Sequence, residues 1–172
     1  MDVRLAIASR REVRRYTGDS LPADVVERIL DAGRLAGSGS NRQPWTFVVP
    51  SSRERIEQLA AAVFAPANVV GAALVVAVVV RGKGPIVFDA GRAAQNMLLQ
   101  AWSDGVGACP NGIADPDSAR AALGLEDEDE KVAIVLGFGY PSSPRDLSSR
   151  SADEWSARAN RRPLEEIVRR LP

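Results

Sequence analysis

The chain has 172 residues, with 22 Lys+Arg against 22 Asp+Glu, no histidine and a single cysteine, Cys109. That length suits one domain with a substantial core, and zero net charge argues against a nucleic-acid binder working through phosphate contacts. Without histidine the chain lacks Ser-His-Asp and Cys-His nucleophiles and the commonest zinc ligand, while a lone cysteine forms no intrachain disulfide and points to a cytoplasmic setting.

Residues Val3 to Ser9 read as a short helix with Val3, Ala6 and Ile7 on one face. Met1-Asp2-Val3-Arg4 lacks the basic-then-apolar layout of a signal peptide. Pro22 stands where a first-turn proline would, with Ser20 near the capping position, and Val25, Ile29, Ala32 and Ala36 recur at helical spacing. Phe47 to Val49 reads as a strand and Arg53 to Val63 as a helix. Leu74 to Val80 is a β-branched run expected to be a strand buried on both faces. Val69 to Val80 is too short to span a membrane, and its first residues read as the lead-in to that strand.

A long helix is expected from about Val87 to Ser103, rich in small residues and ended by Asp104-Gly105. Val106 to Ala108 reads as a short strand leading to Cys109-Pro110-Asn111-Gly112, which alone would be an ordinary turn. Pro116 to Leu123 reads as a helix, Glu126 to Glu130 as a solvated turn, and Val132 to Phe138 as the last core strand. Residues 142–160 are polar and poor in core residues apart from Trp155, whereas Arg161 to Ile167 look ordered again. A polar stretch of that length with a core-type tryptophan needs something to hold it.

Two segments stand out chemically. Arg10-Arg11-Glu12-Val13-Arg14-Arg15-Tyr16 clusters guanidinium groups, which fork onto phosphate oxygens through charge-assisted bonds; a helix-terminal basic pair equally complements the helix dipole. Gly37-Ser38-Gly39-Ser40-Asn41-Arg42-Gln43-Pro44-Trp45 combines glycines that let a backbone approach a ligand with side chains that donate and accept. The pair, an R-R-x-x-R run followed by S-x-x-N-x-Q-P-W, closely resembles the FMN-dependent nitroreductase family. The resemblance spans nearly the whole chain and is strongest in residues 10–49, 89–112 and 132–167.

That resemblance implies an α+β fold: a central, mostly antiparallel sheet flanked by helices, in one domain over residues 1–172. It implies a homodimer whose C-terminal extension, about residues 142–172, wraps the partner, with the small residues of the Asp89–Ser103 helix as the dimer seam; the alternative is that its alanines pack inside one subunit. It further implies FMN as cofactor, NADH or NADPH as electron donor, and ping-pong transfer to a nitroaromatic, quinone or similar acceptor. Arg10, Arg11, Arg161 and Arg162 match the residues that grip the FMN phosphate and ribityl chain. Arg14 matches the cation beside N1 and O2 of the ring, and Arg15 reads as surface. Ser38, Ser40, Asn41 and Gln43 match the loop lent by the partner subunit. Cys109, Pro110, Asn111 and Gly112 match the segment passing the reactive ring edge, where a backbone N–H of Asn111 or Gly112 points at N5 and Cys109 is a pocket wall.

The resemblance assigns no catalytic side chain and no metal, since the flavin carries the chemistry, and it implies no nucleic-acid or membrane partner. Two positions depart from the family pattern. Glu12 stands where a serine is common, so its carboxylate must turn from the phosphate, and Gly37 replaces a proline, which loosens the loop. With only residues 81–88 between Val80 and Asp89, the helices that cover larger members' active sites are absent, and the substrate pocket is expected to be open and shallow. A non-catalytic flavin carrier or regulatory protein of the same fold needs the same cofactor contacts.

Overall fold

The computed structural model describes residues 2–171; Met1 and Pro172, which close the domain expected over 1–172, lie outside the described residues. Two compact units are distinguished, residues 11–144 and the pairing of 2–10 with 145–171.

The larger unit is built on one sheet. Its strands are β1 (Trp45–Val48), β2 (Leu74–Val80), β3 (Gly107–Asn111) and β4 (Lys131–Gly139). They lie in the order β1-β2-β4-β3, and every pairing is antiparallel. Every residue of β2 is buried, as its unbroken β-branched run predicts. The period of two divides its side chains between two cores. Leu74, Val76, Val78 and Val80 join Val25 and Ile29 of α2 (Ala23–Arg34) and Ala90, Ala94 and Met97 of α5 (Ile86–Ser103). On the opposite face, Val75 and Ala77 meet Leu59 and Ala60 of α3 (Arg53–Ala61), Val69 of α4 (Ala67–Val70), and Ala119 and Ala122 of α6 (Pro116–Leu123). Each fully buried aliphatic side chain contributes about 1.5–3 kcal/mol, so this sandwiched strand anchors the unit.

Several boundaries differ from expectation. Pro22 itself is the N-cap of α2, and Ser20 does not cap it. The strand expected from Phe47 begins at Trp45, so Trp45 lies within the sheet and stacks at 6.5 Å on Phe47. The expected strand lead-in at Val69 is instead the short helix α4, and Val63 leaves α3 to bridge to Ile113. The segment expected to turn at Cys109 continues as β3 to Asn111; Pro110, lacking an N–H, is accommodated because β3 is the sheet's last strand.

The alanines of α5 fit the alternative that they pack inside one subunit. Ala90, Ala93, Ala94 and Ala101 are buried within the protomer, and α5 packs on α2 of the same chain. A Cβ at Gly33 of α2 would strike the Met97 side chain, and Asn96 donates to the Ala32 carbonyl at 3.1 Å. These residues serve an intramolecular helix pair.

In the smaller unit, α1 (Val3–Ser9) packs against α7 (Ala152–Ala157). Ser151 and Glu154 form a capping box at the start of α7, as Ser-x-x-Glu spacing allows. Trp155 is buried, donates to the Leu147 carbonyl at 3.3 Å and lies under Arg150, 4.9 Å from guanidinium carbon to ring centroid. Arg4 pairs with Asp153. Residues 145–158 therefore have an anchor within their own chain. Of the three residues expected on one face, Ala6 is buried while Val3 and Ile7 are exposed. Among the described residues beyond Asn160 only α8 (Leu164–Ile167) is helical, and Leu164, Ile167, Val168 and Leu171 are exposed.

Candidate functional site

The arginine run is laid along the sheet by backbone bonds. Glu12 bridges Ala108 in parallel fashion, the Val13 N–H donates to the Ala108 carbonyl at 3.0 Å, and the Thr17 N–H donates to Tyr140 at 2.9 Å. Two glycines, Gly107 and Gly139, permit this approach, and a third, Gly137, admits α4. A Cβ on Gly107 would come within 2.6 Å of Val13, one on Gly139 within 2.9 Å of the Tyr16 ring, and one on Gly137 within 2.6 Å of the Asn68 carbonyl. The Tyr16 hydroxyl donates to the Gly137 carbonyl at 3.1 Å. Burial first, then the charges of Cys109 and Glu12, push the Tyr16 phenol well above its ordinary range, with Arg14 opposing. The structure thus brings Arg11, half-buried, and Arg14, exposed, beside the strand that carries Cys109, Pro110 and Asn111. Arg15 is exposed, as expected of a surface residue.

Cys109 and Asn111 are buried. The Asn111 amide donates to the carbonyls of Cys109 at 3.0 Å and Val135 at 3.4 Å, and its oxygen accepts from Asn68 at 3.0 Å. Its side chain is occupied inside the protein, leaving the backbone of Asn111 and Gly112 as what this segment can offer a ligand. Gly112 is exposed beside Phe64, itself 77% exposed; a Cβ on Gly112 would lie 3.2 Å from that ring, and the Phe64 N–H donates to the Gly112 carbonyl at 3.1 Å.

The Ser38–Gln43 loop is built differently. Ser40, Asn41 and Gln43 all take left-handed backbone, with φ of 51°, 54° and 49°. Non-glycine residues adopt this conformation at a cost, and its persistence in one loop points to function. The Ser38 hydroxyl accepts from the Gln43 N–H at 2.8 Å, and the Gly39 N–H donates to Asp89 at 3.2 Å. Ser40, Asn41 and Gln43 are exposed; Ser38 is half-buried. Gly37 stands where Arg92 fills the space: a Cβ there would meet the Arg92 guanidinium. The glycine expected to loosen this loop instead makes room for an arginine.

The remaining arginines lie in the smaller unit. Arg10 is the half-buried C-cap of α1, its N–H donating to the Ala6 carbonyl. Arg161 and Arg162 are exposed, and Arg161 donates to the Ala159 carbonyl at 3.1 Å.

Sequence reasoning passed over Asp89, whose buried carboxylate holds the loop through Gly39 and pairs with Arg92 at 3.8 Å. A signal was available: Asp89, Ala93 and Met97 share one face at helical spacing, so a carboxylate there had to be buried and engaged. It also passed over Arg42, Arg81 and Lys83, which line a cavity of about 480 Å³ beside the loop.

The comparisons with known proteins agree on one relationship. The family model described as "Nitroreductase family" matches residues 7–90 and 85–140. The chain belongs to this family. It is 34% identical over 150 residues to the "Putative NADH dehydrogenase/NAD(P)H nitroreductase" of Methanothermobacter thermautotrophicus, covering 83% of this chain and 78% of that one. It is 27% identical over 207 residues to the NADH dehydrogenase of Thermus thermophilus, covering 98% and 95%. Among solved structures, a nitroreductase-type protein of Desulfovibrio desulfuricans in complex with FMN superposes with a TM-score of 0.81 at 30% identity, covering 100% of this chain and 98% of that one. A nitroreductase family protein of Clostridium difficile superposes with a TM-score of 0.82 at 26% identity, covering 98% of each. The four-stranded antiparallel sheet with flanking helices is the family's α+β fold. No helix among the described residues is long and apolar enough to cross a membrane.

Proposed function

We propose that this protein is a homodimeric, FMN-dependent NAD(P)H oxidoreductase that passes electrons to a nitroaromatic, quinone or similar acceptor in the cytoplasm. Family membership and the named relatives support an NAD(P)H-dependent flavoenzyme. The observation that carries the assignment of the site is the run of left-handed residues at Ser40, Asn41 and Gln43, in the segment where the sequence resembles the family's cofactor loop. The donor set fits FMN: guanidinium groups suit a phosphate, and exposed amides and hydroxyls suit a ribityl chain and ring edge.

When bound, FMN would supply the chemistry, accepting a hydride from NADH or NADPH and passing its electrons to the acceptor in ping-pong fashion. Arg10, Arg11, Arg161 and Arg162 would hold its phosphate, and Arg14 would set a positive charge beside its ring. Ser38, Ser40, Asn41 and Gln43 of one protomer would serve the cofactor held by the other. Cys109 and Pro110 would form the wall, and a backbone N–H of Asn111 or Gly112 would be offered to the reactive ring edge.

Support for the dimer comes from apolar side chains left in water: Val87 and Phe88 of α5, and Leu164, Ile167 and Leu171 of the C-terminal extension. The chain acts as one family-type domain whose extension, beginning near residue 142, embraces the partner.

Steady-state kinetics test the function. Varying NADH or NADPH against menadione or a nitroarene should give parallel double-reciprocal lines. Flavin-loaded protein that oxidises neither nucleotide would instead be a carrier. Removing the chain after Asn160, which spares Trp155 and α7, should convert the dimer to monomer on a sizing column; a dimer that persists would contradict the embracing role.

A further inference from the structure

The cavity beside the Ser38–Gln43 loop has a composition that none of the flavin assignments explains. One wall is the loop itself, through Gly39, Ser40, Arg42 and Pro44; the other is the β2–α5 turn, through Arg81, Gly82, Lys83 and Pro85, continued by Ile86 and Asp89 of α5. The two walls are joined by the Arg81 N–H, which donates to the Pro44 carbonyl at 3.0 Å. The turn is shaped by its glycines. Gly82 and Gly84 have φ of 114° and 94°, values that side-chain-bearing residues rarely adopt, and Lys83 stands between them. Arg42 crosses from the opposite wall: a Cβ on Gly84 would lie 4.0 Å from its guanidinium.

The charges do not cancel. Arg81 is paired with Asp127 at 3.0 Å. Asp89, the only carboxylate among the described residues lining the cavity, accepts from the Gly39 N–H and pairs with Arg92. No ion pair among the described residues engages Arg42 or Lys83. Two cations held across a cavity of about 480 Å³ focus a positive field where an oxyanion could take charge-assisted bonds from both.

We propose that Arg42 and Lys83 form an anion subsite for the reacting partners of the flavin, recognising a phosphate or carboxylate carried by the nucleotide donor or the acceptor. The inference rests on the flavin reading above, because Ser40 belongs both to the cavity wall and to the loop assigned to the cofactor. It makes the short β2–α5 turn a determinant of specificity through charge, with no covering helix required.

The test compares flavin-loaded wild type with Arg42→Gln, Lys83→Gln and the double variant. The nucleotide arm sets NADPH against NADH, which differ by the 2′-phosphate. The acceptor arm sets 4-nitrobenzoate against 4-nitrobenzyl alcohol, which differ by the carboxylate. The subsite predicts that wild type favours the member carrying the extra phosphate or carboxylate in one arm, and that the double variant loses about tenfold or more of that preference in kcat/KM, the usual weight of bonds to a charged group. Rates with NADH, which lacks the 2′-phosphate, and with the neutral alcohol should hold, as should flavin content. Which arm responds identifies the source of the anion. Equal discrimination by wild type and double variant in both arms would overturn the subsite. Calorimetry of NADP+ and NAD+ on flavin-free protein separates the two readings: no flavin uptake with an NADP+ preference lost in the double variant would sink the flavoenzyme and keep the subsite.

Discussion

Asn41 stands exposed at a φ of 54° on a loop whose neighbours share its left-handed backbone, whereas Asn111 is buried in β3 with its amide bonded to Cys109, Val135 and Asn68. Both lie in segments that resemble the family's cofactor contacts. One presents its side chain on a backbone held at a conformational cost; the other spends its side chain on the fold and can offer only its main chain. The motif residue in the first segment is accordingly a ligand candidate, and in the second a scaffold for a ligand.

The largest effect should follow from removing the scaffold. Asn111→Ala removes a hydrogen-bond partner from buried groups on Cys109, Val135 and Asn68 and should destabilise the protein by about 2–4 kcal/mol in urea unfolding, since each weakened or unsatisfied group costs about 1–3 kcal/mol and some relaxation is possible. A loss well under 1 kcal/mol would erase the distinction between the two asparagines. Next come the phosphate arginines. Arg10→Ala and Arg161→Ala should each weaken FMN binding by about 1.5–3 kcal/mol while riboflavin affinity stays unchanged. Equal losses for both flavins would show that these residues do not read phosphate.

A smaller change should come from Arg14, exposed beside β3. A guanidinium about 4 Å from the reduced ring's negative edge contributes on the order of 4 kcal/mol at an effective dielectric of about 20, before screening. If about a third survives, near 1.4 kcal/mol, Arg14→Gln lowers the two-electron midpoint by about 30 mV. Spectroelectrochemical titration reads this directly, and an unmoved midpoint at full FMN occupancy would remove Arg14 from the ring edge. Asn41→Gly completes the series. It relieves the left-handed backbone, so stability should stay within about 1 kcal/mol, while FMN affinity falls. Unchanged FMN affinity would place the loop away from the cofactor.

Tyr16 adds a pH signature to the buried side of the comparison. Its folded-state pKa is raised by burial above an unfolded value of about 10. The fold therefore favours the neutral phenol, and this contribution is whole below pH about 10 and is lost progressively as pH climbs toward the folded value. Thermal melts in alkaline buffers should show that decline in wild type and a shallower one in Tyr16→Phe; identical slopes would contradict a buried, proton-retaining Tyr16.

The sheet was legible because apolar patterning decides it. Leu74 to Val80 reads as a strand and is one, and Pro116 to Leu123 reads as a helix and is one. Where polar chemistry decides, the reading fell short. Cys109 to Asn111 resembles a turn by composition, yet Asn111 finds its partners on Val135 and Asn68, far off in sequence, and the strand continues. Gly37 reads as looseness because the side chain it accommodates, Arg92, lies on another element. Trp155 signals a buried site without saying whose, and the answer is Leu147 and Arg150 of its own chain. The loop motif at Ser38 to Gln43 is visible as letters; its left-handed backbone is not.

The central claim is that the protein holds FMN and reduces it with a nicotinamide nucleotide. The most direct measurement is the visible spectrum of the purified protein under anaerobic conditions before and after NADH or NADPH is added. The account predicts a yellow protein whose oxidised-flavin band bleaches with the nucleotide and returns when a quinone or nitroarene is supplied. A colourless protein that takes up no FMN, or a flavin band untouched by both nucleotides, would contradict it.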